Sequence, residues 1–92
     1  MNSFPEHEVD VLLKEAEVEL GHELVVFNDD VNTFEHVIGT LIDVCEHQPE
    51  QAEQCTWIIH HKGKCSVKRG ELERLVSMCK AILDRGINAE VN

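Results

Sequence analysis

The chain is short of positive charge: 18 acidic residues face only 8 basic ones, for a formal charge of −10 over 92 residues. Nucleic-acid binding needs basic patches against phosphate, and this balance excludes it as a leading function. It also disfavours anionic membrane surfaces and suits cationic partners. No apolar stretch approaches the roughly 18 residues of a membrane span. The opening Met1-Asn2-Ser3-Phe4-Pro5-Glu6 lacks a basic region followed by an apolar run, so no signal peptide and a cytoplasmic location are expected. Internal repeats and low-complexity segments are missing too. The four cysteines, Cys45, Cys55, Cys65 and Cys79, include no Cys-x-x-Cys. They are few for a secreted disulfide scaffold, and they read as small buried apolar residues.

What remains fits one small domain, with apolar content of 42% sufficient for a single core. Residues 1–22 are acidic, with Val9, Leu12, Leu13, Ala16 and Leu20 at spacings that allow a short amphipathic helix. Without a strong cap, they are expected to be a flexible or weakly docked extension to a core of residues 23–92. Leu24 to Phe27 reads as a buried strand ended by the turn Asn28-Asp29-Asp30. A helix follows, capped by Asn32 or Thr33, with Glu35 in capping-box position to Asn32. Phe34, Val37, Ile38, Leu41, Ile42 and Cys45 form its apolar face.

After a break at His47-Gln48-Pro49, Pro49 starts a second helix. Ala52, Cys55, Thr56 and Ile59 share one face, and Gly63 ends it. Lys64 to Val67 is expected as a short edge strand. A third helix is expected from about Gly70 to Arg85, burying Leu72, Leu75, Val76, Cys79, Ile82 and Leu83, with Gly86 as its cap. Alternation in Ile87-Asn88-Ala89-Glu90-Val91 predicts a final strand. The order βααβαβ gives an α+β domain, a small three-stranded antiparallel sheet packed with three helices.

Two elements carry chemistry. Asn28-Asp29-Asp30 follows the first strand, and His60-His61-Lys62-Gly63-Lys64 closes the second helix. An Asn, an Asp and a His brought together bind one positively charged amine. A free α-amino group, with an unperturbed pKa near ~7.7, is largely ammonium at neutral pH or slightly below. It offers three donors to the Asp29 carboxylate, the Asn28 amide oxygen and a neutral His60 nitrogen. An internal peptide nitrogen has one proton and no charge, so such a site rejects it.

Taken singly, the turn is a solvated loop, His60 favours a helix C-terminal dipole, and Phe34, Val37, Thr56 and Ile59 are core. The runner-up function is a small metal-binding Cys/His interaction domain using Cys45, Glu46, His47, Cys55, His60, His61 and Cys65, but no matched ligand knuckles occur. Cysteine catalysis lacks a base and orienting acid at informative spacing, so no enzyme is expected.

Val26-Phe27-Asn28-Asp29-Asp30, the helix start Thr33-Phe34-Glu35-His36-Val37, Gln51-Ala52-Glu53-Gln54, and Ile59-His60-His61-Lys62-Gly63-Lys64 together resemble the Clp protease adaptor family ClpS over roughly residues 23–91. The resemblance implies a non-enzymatic adaptor without cofactor or metal. It would hold proteins by a free N-terminal Leu, Phe, Tyr or Trp and deliver them to a ClpA- or ClpC-type AAA+ unfoldase with the ClpP protease. The amine site falls on Asn28, Asp29 and His60. The side-chain pocket falls on Asp30, Asn32, Phe34, Val37, Thr40, Thr56, Ile59 and Val91. The chaperone surface falls on Arg69, Glu71 and Arg74, and a monomer is expected. Three positions depart from the family pattern. Thr56 stands where a methionine usually gates the pocket, Asn32-Thr33 replaces Thr-Pro, and Val76 replaces a basic chaperone contact.

Overall fold

The computed structural model describes residues 21–92. The expected extension lies outside them, apart from its last two residues. The elements are β1 (His22–Phe27), α1 (Phe34–Cys45), α2 (Pro49–Lys62), β2 (Lys64–Gly70), α3 (Leu72–Asp84) and β3 (Ala89–Val91). The sheet is antiparallel in the order β2-β1-β3. The expected α+β architecture is the observed one, with β1 starting at His22, one residue before the expected core. No helix among the described residues is long and apolar enough to cross a membrane.

β1 is the central strand, and Leu24, Val25 and Val26 are all buried. Leu24 and Val26 join Leu41 of α1, Ala52 and Ile59 of α2, Leu75 and Ile82 of α3, and Ile87 in one apolar cluster. Burying a side chain of this size stabilises the fold by about 1.5–3 kcal/mol. This cluster therefore fixes how the helices lie on the sheet, and hence the relative placement of the β1 and α2 ends.

The helix ends follow local chemistry. Thr33 caps α1, its hydroxyl accepting the His36 N–H at 3.1 Å. Asn32 is not the cap, because its side chain is bonded elsewhere. Pro49 opens α2, where its missing N–H is harmless. Gly63 closes it at φ 93°, a left-handed conformation that suits glycine, and its N–H donates to the Ile59 carbonyl at 2.9 Å.

Three boundaries differ from expectation. β2 continues to Gly70 because Arg69 and Gly70 pair with Glu23 and His22 of β1. That pairing delays α3 to Leu72. On α3 the buried residues are Leu75, Met78, Cys79 and Ile82, spaced as one helical face. Leu72 and Leu83 lie off that face and are 47% and 46% exposed. β3 is only three residues long, because Ile87 is buried before the strand begins and Asn88 contributes a single carbonyl to Phe27.

The β1–β2 register shifts between Leu24 and Val25, whose partners are Lys68 and Ser66. Val67 is thus an extra residue, a β-bulge whose carbonyl has left the ladder. Buried His47 fills the gap, its Nε2 lying 2.7 Å from the Val67 oxygen. Replacing His47 by leucine leaves that carbonyl unpaired in the interior and is expected to cost about 1–3 kcal/mol. Urea unfolding measures this as a lower midpoint at unchanged slope. An unchanged midpoint would show that the bulge is stabilised by other means.

Candidate functional site

β1 ends where α2 ends. The Asn28 N–H donates to the Gly63 carbonyl at 2.8 Å, so the turn after the strand is tied by main chain to the residue that terminates the helix. His60 lies in the last turn of that helix and is exposed. Its ring meets Phe34, the first residue of α1, edge-on at 6.5 Å between centroids. The Asn-Asp-Asp turn and the His-His-Lys-Gly-Lys element, distant in sequence, therefore meet at one end of the domain.

Asp29 is first of all a turn-builder. Its Oδ1 accepts the N–H groups of Asn32 at 2.7 Å and Val31 at 2.9 Å, and its Oδ2 accepts from Asn32 Nδ2 at 2.6 Å. The backbone bond from Asn32, then that from Val31, hold its carboxyl below the usual value of 3.8. It is therefore ionised at neutral pH. Because the folded-state value is depressed, its contribution to the turn is present above 3.8 and lost as pH falls through the lowered value. A carboxylate has about four lone-pair sites, and three are engaged here, leaving about one for a ligand.

Asn32 also donates to the Gly86 carbonyl at 2.9 Å, and His36 Nε2 lies 2.9 Å from the Arg85 carbonyl. These two bonds fasten the start of α1 to the end of α3. Sequence reading missed both partners. The only signal was Gly86, which marked a helix end and so a set of free carbonyls.

Of the expected pocket residues, Val37 and Thr40 of α1 and Thr56 and Ile59 of α2 are buried, and Phe34 is half-buried. The Thr40 hydroxyl donates to the His36 carbonyl at 2.8 Å and the Thr56 hydroxyl to the Ala52 carbonyl at 2.7 Å. Both threonines spend their polar atom on their own helix and offer methyl groups to their surroundings. Asp30 is exposed. Val91 pairs with Leu24, whereas Ala89 pairs with Val26. Val91 therefore lies at the opposite end of β1 from Asn28, about 13 Å along the strand, and the structure does not bring it to the turn.

The expected chaperone surface is solvent-facing: Arg69 ends β2, Glu71 precedes α3, and Arg74 lies in its first turn. Arg74 pairs with Glu46 at 3.2 Å, both side chains being well exposed, an interaction of small energy. Val76 is half-buried.

The cysteines belong to the packing. Burial pushes the Cys45 thiol up to about 11, and burial together with neighbouring Cys55 pushes Cys65 up to about 12. Burial also raises Cys79. These shifts oppose the thiolate that nucleophilic or metal chemistry requires. Among the described residues no group of three or more His, Cys, Asp or Glu side chains is arranged to hold a metal ion, so the metal-binding reading finds no centre there.

The family model described as "ATP-dependent Clp protease adaptor protein ClpS" matches residues 19–90. The chain belongs to the ClpS family. The fold agrees with a solved structure of Agrobacterium tumefaciens ClpS2 bound to L-phenylalaninamide, with a TM-score of 0.74 and 18% identity, covering 77% of this chain and 93% of that one. No curated protein matches the chain significantly. The ClpS model thus spans the Asn28 turn, the α2 terminus and the Arg69–Arg74 segment alike, and it assigns the domain to the adaptors of an ATP-dependent Clp protease.

Proposed function

We propose that this ClpS-family domain reads N-degrons. It holds a protein by a free, large apolar N-terminal residue and hands it to a ClpA- or ClpC-type AAA+ unfoldase working with ClpP, as a cytoplasmic monomer without catalytic activity of its own. The observation that carries this reading is the main-chain bond from Asn28 to Gly63, which sets an Asn and an Asp beside the helix end bearing His60. The Asn28 amide oxygen, the remaining Asp29 lone pair and a neutral His60 nitrogen match the three donors of an ammonium group. The methyl and apolar groups of Val37, Thr40, Thr56 and Ile59 receive the first side chain. The ligand of the Agrobacterium relative, an amino-acid amide with a free α-amino group and an aromatic side chain, has the chemistry such a site would take.

Titration with short peptides that differ only in their first residue tests this. Leu, Phe, Tyr and Trp bind, and Ala, Ser and Asp do not. Thr56, with a methyl facing its neighbours, leaves more room than a methionine and admits β-branched Ile and Val. Thr56→Met lowers the affinity for Ile- and Val-first peptides by about ten-fold relative to Leu, the scale of a methylene-sized change in a pocket. Binding that ignores the first residue would sink the function. Selectivity that Thr56→Met leaves unchanged would move the gate to another residue.

A further inference from the structure

α2 and β2 are joined by Gly63 alone and pack against each other along a seam. Side chains alternate along β2: Lys64 and Ser66 face solvent, while Cys65 and Val67 point inward. On α2, Cys55 lies one helical turn from Ala52 and from Ile59, both buried in the apolar cluster. Cys55 and Cys65 each lean on that cluster and are half-buried. Their thiols come within hydrogen-bond reach of one another. The Cys65 thiol also approaches the Ser66 carbonyl at 3.5 Å, and a thiol is a weak donor that gives up such a bond easily. Both cysteines are free, as are the buried Cys45 and Cys79. The amine site and the pocket make no use of this pair.

We propose that Cys55 and Cys65 form a redox site, which a low-molecular-weight disulfide converts into an intramolecular disulfide bracing α2 against β2. Burial, with Cys55 beside it, pushes the Cys65 thiol up to about 12, so Cys65 stays protonated and the first attack falls to Cys55. The Cys55 thiolate attacks one sulfur of the small disulfide RSSR. That S–S bond breaks, and RS− leaves and takes up the proton that Cys55 gave. The Cys65 sulfur then attacks the Cys55 sulfur of the mixed disulfide, and the second RS− leaves with the Cys65 proton. Two protein thiols are oxidised, and one RSSR is reduced to two RSH. The product is uncharged, so the burial that opposes a thiolate does not oppose the disulfide. Cys45 also lies near Cys55. It is as far from Cys55 along the chain as Cys65 is, ten residues, so chain statistics favour neither pairing. The fold decides between them, because Cys45 is fully buried and Cys65 is within an oxidant's reach. The bond clamps α2 one residue before Thr56 and five before His60. Where thiols are kept reduced the seam stays open, and it closes when the disulfide pool rises.

The test treats the full chain, folded and in strong urea, with oxidised glutathione, then alkylates free thiols and maps the cysteines by peptide mass spectrometry. The folded chain is expected to yield one internal bond, Cys55 to Cys65, that dithiothreitol reverses. The urea-unfolded chain is expected to yield the Cys45–Cys55 and Cys55–Cys65 bonds in about equal amounts. The oxidised folded chain is expected to melt about 10 °C higher than the reduced one, and its amides at residues 56–62 to exchange about ten-fold more slowly. Cys65→Ser is expected to stop at the mixed disulfide of Cys55 with glutathione, with no rise in melting temperature. Four results would overturn the proposal. In the folded wild type these are no reaction, a mixed disulfide at Cys55 that persists beside a free Cys65, or a bond from Cys55 to Cys45. The fourth is a Cys55–Cys65 bond that leaves melting and exchange unchanged, which would show that it braces nothing.

Discussion

A peptide that begins with phenylalanine is expected to bind the domain, and the same peptide acetylated at its N-terminus to lose about two orders of magnitude in affinity or more. Acetylation removes the charge and two of three donors. Each charge-assisted bond contributes roughly 1.5–3 kcal/mol, and every 1.4 kcal/mol is a factor of about ten. Asn28→Ala and His60→Ala each remove one acceptor and weaken binding by about ten-fold or more. Both side chains are exposed, so the melting temperature stays where it was. Asp29→Ala behaves differently. It deletes the acceptor of three bonds within the turn, so binding and stability fall together. Calorimetric titration beside thermal melts separates the two patterns. Equal affinity for acetylated and free peptides would remove the amine site altogether.

The second large effect concerns delivery. With the Clp chaperone and ClpP from the same organism, a reporter beginning with leucine is expected to be degraded when this chain is added and to persist when it is left out. Removing residues 1–20 spares peptide binding, because every residue assigned to the amine site and pocket lies from Asn28 onward, and abolishes the degradation. Glu71→Lys reverses a charge on the exposed Arg69–Arg74 surface. It weakens chaperone binding most at low ionic strength, as screening of exposed charges requires. A truncated chain that supports degradation as well as the full one would strip residues 1–20 of a delivery role. Degradation that ignores the chain entirely would refute the adaptor function even where peptide binding persists.

Much of this was legible in the residues, for reasons that are local. Leu24–Phe27 is a compact apolar run before a turn-forming triplet, Pro49 and Gly63 bracket one helix, and Phe34 to Cys45 repeat at helical spacing. The failures share a different cause. The extent of β2 depends on pairing with Glu23 and His22, more than 40 residues earlier, and no property of Lys68, Arg69 or Gly70 announces it. The Val67 bulge and its repair by His47 are likewise long-range, and a lone histidine after a helix reads as a linker. Asn32 and Thr33 were both candidates for the cap of the first helix, and Thr33 takes that role. Asn32 donates to Asp29 and to Gly86, and the second bond exists only once α3 has docked. The site followed the same rule. Its residue types were visible in two short motifs, but the lone-pair shortage at Asp29 and the pairing of Val91 with Leu24 became visible only through partners.

The contact that joins the two motifs is made by an N–H and a carbonyl, not by side chains. Every amino acid except proline carries that N–H, and every one carries that carbonyl. The spacing between turn and helix end is therefore indifferent to which residue occupies position 60 and to which residue other than proline occupies position 28, whereas Asp29 belongs to the turn itself. Positions 28 and 60 behave as interchangeable fittings on a fixed mount. Libraries that vary them together offer a route to readers for other chain ends, such as formylated, methylated or arginyl N-termini, from the same small scaffold.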